Sequence, residues 1–296
     1  MFENILGNEK NKNILEKSIK LNKYSHSYVF WGLEGIGKKV FAKEFAKNIL
    51  CLEQKENCNC KSCLEIDSNN NPDFQLIEPI DGKVKIEQIR EMQRKVAEKP
   101  IISNKKVYII DNADTMTTEA QNCLLKTLEE PPEYITIILI CTNEDNLLST
   151  IKSRCTRMHF EPISIEEIKK YVKKNYPEED ISDNIINLSQ GSIGKTIKLN
   201  ENKNIYENIE KIFLSMQNKD LIEIVQMSEE IYKAKEEISS ILDYMNVILL
   251  RLSKQNTKYI RCIEIVEQTK KRLKANSNYD MCIDNLLFNM TFIIHN

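Results

Sequence analysis

Short apolar runs separated by polar, helix-like stretches dominate the first 160 residues of the chain. Four of these runs, at residues 28–31, 74–77, 107–110 and 135–141, have the length and composition of buried strands. Strands that alternate with helical stretches predict a parallel sheet wrapped by helices. The pattern therefore predicts an α/β domain at residues 1–161.

The pattern of apolar positions changes after residue 161. Ser164 and Glu167 form a capping-box pair, which predicts the start of a helix. Beyond Gly194 the chain contains neither glycine nor proline, and its apolar residues recur at helical spacing. We predict a small helical domain at residues 162–203 and a helical bundle at residues 204–296.

Composition and charge restrict the class of protein. The 296 residues are 41% hydrophobic and 29% charged, which is ordinary for a globular protein. No apolar run approaches the roughly 20 residues that cross a bilayer, and the start lacks the blocks of a signal peptide, so we expect a cytoplasmic protein with no membrane partner. The net charge of -2 argues against a broad electrostatic grip on nucleic acid. This disfavours a stand-alone nucleic-acid-binding protein.

The segment GLEGIGKK, from Gly32 to Lys39, follows the first predicted strand and precedes a predicted helix. It matches the phosphate-binding pattern G-x-x-x-x-G-K-[ST] at Gly32, Gly37 and Lys38, and Gly35 lies within the same loop. In such loops backbone N–H groups surround the phosphates and a hydroxyl ligates Mg²⁺. Lys39 stands where that hydroxyl is expected. We predict a nucleotide-binding scaffold, working or degenerate; the alternative is a chance glycine-rich turn.

The apolar run at residues 107–110 ends in Asp111. A carboxylate at the carboxyl end of a buried parallel strand lies near the phosphate loop of such sheets, which makes Asp111 a candidate Walker B aspartate. Hydrolysing ATPases usually place a glutamate next, whereas Asn112 is an amide that cannot act as a base. The alternative is a strand that ends in a turn-forming Asp-Asn pair.

Further motifs follow in series. The segment LLKTLEEPP at residues 124–132 precedes a strand, then Thr142-Asn143, then Ser-Arg-Cys at residues 153–155. Together with HSYVFWGLEGIGK at residues 26–38, this series resembles the AAA+ clamp-loader subunits of DNA replication. The resemblance covers about the first 200 residues. It implies an AAA+ P-loop domain in which Thr142 and Asn143 hold the sensor 1 position of the nucleotide site.

The resemblance also implies a biological role. Clamp-loader subunits of bacterial DNA polymerase III assemble in a hetero-oligomeric ring and, through that complex, meet the sliding clamp and primer-template DNA. Residues 162–203 would be a helical lid domain, and residues 204–296 a helical collar for oligomerisation. Arg154 would lie at the subunit's edge and act as an arginine finger in a neighbour's ATP site. The competing interpretation of Arg154 is an arginine that caps a helix or pairs with an acid.

Four of the nine cysteines fall within thirteen positions, at Cys51, Cys58, Cys60 and Cys63. Four thiolates satisfy tetrahedral Zn²⁺, and the two-residue spacing from Cys60 to Cys63 is that of a zinc knuckle. A non-hydrolysing member of the clamp-loader family also places a four-cysteine zinc module after the phosphate-loop helix. We predict structural zinc; free thiols and a redox pair at Cys60 and Cys63 are the alternatives.

Three elements of an ATPase site are altered. Lys39 replaces the magnesium hydroxyl, Asn112 replaces the glutamate, and Gly194 stands where the family's G-S-x-R pattern places a phosphate-sensing arginine. We expect Mg-ATP to bind poorly or in a non-catalytic way. The chain would then be a catalytically inactive part of the polymerase holoenzyme, which is a nucleotidyltransferase complex. The competing interpretation is an ATP-hydrolysing motor subunit of the same loader.

Overall fold

The computed structural model describes residues 2, 5–55, 58–178, 181–215, 218, 221–227 and 229–295. The chain divides into two compact units. The first comprises Met1–Glu167 with Gly191–Gly194, and the second comprises Ile168–Gln190 with Lys195–Asn296.

The first unit contains a five-stranded parallel sheet. Its strands are β1 (Ser27–Trp31), β2 (Phe74–Ile77), β3 (Lys106–Ile110), β4 (Ile135–Cys141) and β5 (Thr156–His159). Their order across the sheet is β2-β3-β4-β1-β5. In register, Tyr28 of β1 lies opposite Ile138 of β4 on one side and Thr156 of β5 on the other.

Helices connect these strands. They are α1 (Glu9–Lys20), α2 (Lys38–Leu50), α3 (Lys61–Asp67), α4 (Ile86–Val96), α5 (Thr118–Glu129) and α6 (Ser149–Lys152). The next helix, α7 (Ile165–Asn175), begins in the first unit and continues into the second. Its start carries the predicted capping box, in which Glu167 N–H donates to Ser164 Oγ at 3.3 Å and Ser164 N–H donates to Glu167 Oε2 at 3.2 Å.

Alternation along β1 supplies a core on each face of the sheet. Tyr28 and Phe30 belong to one buried cluster, and Val29 belongs to the other. Phe30 packs edge-to-face on Phe41 of α2, with ring centroids 6.0 Å apart. Because α2 is packed against the sheet by such contacts, its first residue, Lys38, is held at the end of β1.

The second unit is helical in the residues that the structure describes. Its further helices are α8 (Asp183–Leu188), α9 (Ile193–Glu201), α10 (Lys203–Ser215), α11 (Leu221–Met227), α12 (Glu229–Lys233), α13 (Ile238–Ser253), α14 (Lys258–Lys274) and α15 (Tyr279–His295). Its buried cluster centres on α13 and α15, and the tilted rings of Tyr206 and Tyr244 contact each other with centroids 4.8 Å apart. None of the described helices is both long enough and apolar enough to cross a membrane.

The α/β class and the four predicted strands are confirmed. The strand β5 was not predicted from the sequence; of its four residues only Met158 is buried. An edge strand that is exposed in this way carries no continuous apolar run, so its pattern does not stand out. The domain boundaries at residues 162 and 204 stay predictions.

Candidate functional site

Three loops that carry predicted site residues follow three neighbouring strands. β3, β4 and β1 lie side by side in the sheet. Parallel strands present their carboxyl ends at one edge, where α/β proteins bind ligands. The fold therefore brings together the phosphate loop after Trp31, Asp111 after β3, and residues 142–143 after β4.

The phosphate loop has the backbone conformation that its glycines permit. Gly32, Gly35 and Gly37 have φ values of 149°, 72° and 94°. A Cβ atom at Gly32 would lie 2.4 Å from the backbone oxygen of Phe160, so only glycine fits there. Gly37 is the N-cap of α2, which directs the positive end of the helix dipole at the loop.

Lys38 closes over the same loop. Its Nζ donates to the backbone oxygens of Gly32 and Leu33 at 2.7 and 2.6 Å. Burial lowers the pKa of Lys38, and the charges of Asp114 and Asp111 offset part of that effect. The lysine of the phosphate-binding pattern is thus held in place by the loop's own carbonyl groups.

Lys39 lies between two carboxylates. Its ammonium donates to Glu78, which directly follows β2, and its Nζ is 3.0 Å from Asp111 Oδ2. Partial burial lowers the pKa of Lys39, but the hydrogen bonds to Glu78 and Asp111 outweigh that effect and raise it above 10.5. An ammonium group therefore lies against Asp111, the candidate Walker B carboxylate, where the phosphate-binding pattern would place a divalent cation.

The residues around Asp111 are fixed by backbone contacts. Asn112 is exposed, and its backbone adopts the left-handed helical conformation, with φ at 47°. Asp114 Oδ2 accepts hydrogen bonds from the N–H groups of Thr142 and Asn143 at 3.1 and 3.0 Å. The Asn143 side chain accepts from Asp145 N–H at 3.0 Å and so caps the short turn that follows it. At the predicted sensor 1 position, the Asn143 side chain organises local backbone.

Gly194 contacts the phosphate loop directly. Its N–H donates to Gly35 O at 3.0 Å, and a Cβ atom at position 194 would lie 3.3 Å from both Cα and O of Gly35. The segment is anchored by Ile163 N–H, which donates to Gly191 O at 2.9 Å. Glycine at 194 lets the two backbones approach, and no guanidinium extends from this position to a phosphate.

Arg154 lies after α6, outside the phosphate loop. Its Nη2 is 2.8 Å from Glu129 Oε1, and its Nη1 donates to Thr150 O at 2.9 Å. Its backbone is also fixed, because the fully buried Ser27 donates from Oγ to Arg154 O at 2.7 Å. The guanidinium is about one-third exposed, at 35%. Arg154 is therefore well ordered and still accessible from outside.

A shallow depression of about 440 Å³ opens beside Arg154. It is lined by Ser149, Lys152, Ser153, Cys155 and Arg157. Lys152 and Arg157 make only long ion pairs, at 3.6 and 3.7 Å, with Asp145 and Glu144. The lining beside Arg154 therefore includes two cationic side chains, each loosely paired with an acid.

The four clustered cysteines form a second centre. Cys51 follows the last residue of α2, Cys60 is the N-cap of α3, and Cys63 lies within α3. The Sγ atoms of Cys51, Cys58, Cys60 and Cys63 all lie within 4.8 Å of one another. Sulfur ligands of tetrahedral zinc are about 3.8 Å apart, given Zn–S bonds of about 2.3 Å. The donor set and spacing fit a metal ion.

The environment of the cysteine cluster favours a thiolate. Burial opposes ionisation of Cys60, but hydrogen bonds from the backbone N–H groups of Cys63 and Leu52 outweigh it and lower the pKa of that thiol to about 6. Burial raises the pKa of Cys63. The cluster lies at the far end of α2 from the phosphate loop, roughly 20 Å away by helix rise.

Two acidic residues at these sites were not predicted from the sequence. Glu78 directly follows the predicted strand at 74–77, so its place at the binding edge could have been inferred from the same rule that singled out Asp111. Glu129 belongs to the LLKTLEEPP motif, but its contact with Arg154 joins α5 to the segment after α6. A local sequence pattern cannot predict the pairing of Glu129 with Arg154, because the two residues are distant in sequence.

Comparison with known proteins identifies the family. The family model described as DNA polymerase III, delta subunit, matches residues 7–164. The chain belongs to this family. The delta' subunit of DNA polymerase III from Bacillus subtilis is 35% identical over 204 residues, and the gamma/tau subunit from Mycoplasma genitalium is 36% identical over 223 residues. The resemblance to AAA+ clamp-loader subunits of DNA polymerase III is confirmed, and a delta' subunit is among the relatives.

The matched region covers more of this chain than of its relatives. It spans 67% and 72% of this chain, but 61% of the B. subtilis delta' subunit and 37% of the M. genitalium gamma/tau subunit. A solved structure of a DNA polymerase III gamma subunit-related protein from Thermotoga maritima aligns with 95% of this chain and 99% of its own, with a TM-score of 0.59 and 17% identity. At that identity the likeness shows that this member of the delta subunit family shares the fold.

Proposed function

We propose that this chain is a delta' subunit of a DNA polymerase III clamp loader and that it does not itself hydrolyse ATP. The observation that carries the proposal is the Lys39 ammonium between Glu78 and Asp111. The ammonium supplies no hydroxyl oxygen for Mg²⁺ and places a positive charge where the metal would lie, so Mg²⁺ would be held poorly between the carboxylates and the nucleotide. In this role the chain acts in the cytoplasm.

Two further positions support loss of hydrolysis. Asn112, next to Asp111, offers an amide that cannot take a proton from the attacking water. Gly194 offers no cation to the γ-phosphate, and its backbone instead donates to Gly35 of the loop. The cation site, the base and the phosphate sensor are all changed, so restoring any one of them alone leaves the site without hydrolysis.

Arg154 is the residue that we propose acts on a neighbouring subunit. Its pairing with Glu129 is half exposed, and such pairs contribute at most about 1 kcal/mol. A nearby phosphate with two or more charges can therefore compete with Glu129 for the guanidinium. The basic depression beside Arg154 gives that phosphate a surface to approach.

The proposed cofactor of the chain is zinc, held by Cys51, Cys58, Cys60 and Cys63. Zinc would supply four bonds that hold the end of α2 to the start of α3. A short segment with few apolar residues gains most of its stability from such bonds. The role is structural, since four protein ligands leave no open position for substrate.

The second unit offers a surface suited to ring assembly. Met281, Phe288 and Phe292 of α15 are 70%, 55% and 62% exposed and, at spacings of seven and four residues, lie on one face of the helix. Exposed large apolar side chains on one helix face are typical of subunit interfaces. We propose that other clamp-loader subunits pack here, and that the clamp and primed DNA are reached through that complex.

Two measurements test the proposal. The purified chain should show no ATP turnover above that of a Lys38→Ala variant, and it should co-purify with the other subunits of the loader. Steady turnover that Lys38→Ala abolishes would favour the motor-subunit interpretation, to which the similarity with gamma/tau subunits also points. A chain that neither turns over ATP nor joins the complex would contradict both.

A further inference from the structure

A buried chain of hydrogen bonds runs behind the cysteine cluster. Asn71 Nδ2 is 3.0 Å from Ser62 Oγ, which is 3.1 Å from Ser103 Oγ, which in turn is 2.8 Å from Leu50 O. Ser62, Asn71 and Ser103 are at most 9% exposed. Burying a polar group without a hydrogen-bond partner costs free energy, and each of these buried groups has a partner.

The direction of the chain is determined by chemistry. The Asn71 amide nitrogen only donates and the Leu50 carbonyl only accepts, so each serine between them accepts from one neighbour and donates to the next. Every hydroxyl proton has one acceptor. Hydrogen bonds aligned in this way polarise one another and strengthen the whole chain.

The chain ends beside two metal-ligand candidates. Leu50 immediately precedes Cys51, and Ser62 immediately precedes Cys63. Cys51 and Cys63 are the two buried members of the cluster. The Ser62–Ser103–Leu50 contacts thus join the backbone of both buried cysteines, although eleven residues of sequence separate these two.

Asp73 anchors this arrangement to the sheet. Its carboxylate accepts hydrogen bonds from three successive backbone N–H groups, those of Ile101, Ile102 and Ser103, at 2.7 to 2.8 Å. Its own N–H donates to Asn71 Oδ1 at 2.8 Å. Asp73 directly precedes β2, so the turn that presents Ser103 is tied to the residue before an edge strand.

We infer that Ser103, held by Asp73, is a positioning residue for the four-cysteine metal site. It presets the separation of Cys51 and Cys63, and metal binding in turn orders the turn at residues 101–103. This inference rests on the proposed zinc site and extends it to residues that touch no metal. Partners behind metal ligands orient them, and loss of such a partner lowers metal affinity by about 10- to 100-fold.

A matched pair of serine variants tests the inference in the full-length chain. Ser103→Ala removes the hydroxyl that joins Ser62 to Leu50 and leaves the N–H bonds to Asp73 in place. Ser68→Ala makes the same change in the same module at an exposed hydroxyl that donates to Glu65 O and accepts from the exposed Asn70 side chain. Zn²⁺ affinity is measured by competition with a chromophoric chelator of known affinity.

We expect Ser103→Ala to bind Zn²⁺ about 10- to 100-fold more weakly than wild type, and Ser68→Ala to match wild type. Ser62→Ala is the second variant, and the double variant Ser62→Ala/Ser103→Ala should lose less than the sum of the two single losses, because both belong to one chain. Removing zinc from the wild-type chain should accelerate amide exchange at Ile101, Ile102 and Ser103.

The outcomes separate this inference from the zinc assignment. Wild-type protein that binds neither Zn²⁺ nor Co²⁺ overturns both. Zinc binding that is equal in Ser103→Ala and Ser68→Ala, or exchange at residues 101–103 that does not respond to zinc removal, overturns the positioning role and leaves the zinc site standing.

Discussion

Lys39 Nζ lies 3.0 Å from Asp111 Oδ2. This contact joins the last position of the phosphate loop to the carboxylate that ends β3, and Glu78 at the end of β2 completes it. The ammonium carries one positive charge and three donors, whereas Mg²⁺ carries two charges and binds both carboxylate and phosphate oxygens. Lys39 therefore places one positive charge between the two acidic residues and supplies no oxygen ligand for Mg²⁺.

Replacing Lys39 with threonine should restore binding of nucleotide with Mg²⁺ but not hydrolysis. The hydroxyl supplies a magnesium ligand, and loss of the ammonium frees Asp111 and Glu78. Hydrolysis stays absent because Asn112 is not a base. Titration of a fluorescent ATP analogue with and without Mg²⁺, together with a phosphate-release assay, measures both effects.

The control for this prediction is Lys43→Thr, the same change one helical turn along α2. It should leave nucleotide binding at the wild-type level. Binding by Lys39→Thr that is no tighter than that of the control would show that Lys39 does not block the cation site. Turnover by Lys39→Thr would show that another group replaces the missing glutamate.

The pairing of Lys39 should also contribute stability with a defined pH dependence. Its pKa is raised above 10.5 in the folded protein, so the contribution is fully present below pH 10.5 and is lost as the pH rises through the folded value. The side chain is 37% exposed, so we expect at most about 1 kcal/mol. Urea unfolding of wild type and Lys39→Met should give a constant difference at neutral pH that shrinks above pH 10.5. A difference that grows with pH would contradict this assignment.

Much of the candidate nucleotide site, at the carboxyl ends of β1, β3 and β4, could be predicted from local sequence. The phosphate loop, Asp111 and residues 142–143 each follow an apolar run, and a parallel sheet brings the ends of such runs together. The mismatch of Lys39 with the phosphate-binding pattern also predicts poor binding of Mg²⁺, and this follows from the local sequence alone. The local sequence has a limit. It could not supply the partner Glu78, because that contact depends on β2 lying next to β3 in the sheet order.

Other features depend on contacts that sequence patterns do not encode. The contact between Gly194 and Gly35 joins segments almost 160 residues apart. From the sequence, Gly194 was interpreted only as the loss of a phosphate-sensing arginine. The cysteine cluster was visible from spacing, yet the serine and aspartate contacts behind it were not. In a sequence, serine, asparagine and aspartate usually indicate exposed turns. That these particular residues are buried follows only from how the chain packs.

Removing one cysteine should loosen the metal module alone. Cys63→Ser takes away a buried ligand, and we expect faster amide exchange at residues 51–70 with unchanged exchange in β1. Zinc content by elemental analysis should fall from one per chain towards zero. Cys123→Ser, outside the cluster, is the control and should keep its zinc. Uniform acceleration across β1 and the module would mean that the metal site supports the entire α/β unit.

Replacing Arg154 with alanine should impair a neighbour's ATP site and leave this chain folded. The side chain makes exposed contacts with Glu129, Thr150 and Ser153, so its loss costs about 1 kcal/mol or less. A finger can contribute about 10³- to 10⁵-fold to the site that it serves. In the reconstituted loader, ATPase stimulated by DNA and clamp should fall in part, because other sites keep their own arginines, and clamp loading should fall further. Thermal unfolding and zinc content of the isolated variant should match wild type.

Further substitutions distinguish an arginine that acts in a neighbouring subunit's ATP site from one that only stabilises its own subunit. Arg154→Lys should restore little, because an ammonium lacks the planar fork that binds phosphate through two nitrogens. Arg157→Ala is the comparison variant: Arg157 lines the depression that the phosphate approaches but is not the proposed finger, so its loss should lower loading less than the loss of Arg154 does. Glu129→Ala removes the local partner of Arg154 and keeps the guanidinium, so loading should survive if the phosphate is the partner that matters. If Arg154→Ala assembles normally and loads clamps at the wild-type rate, Arg154 only braces α5 against the segment after α6, and the neighbour's hydrolysis depends on some other cation.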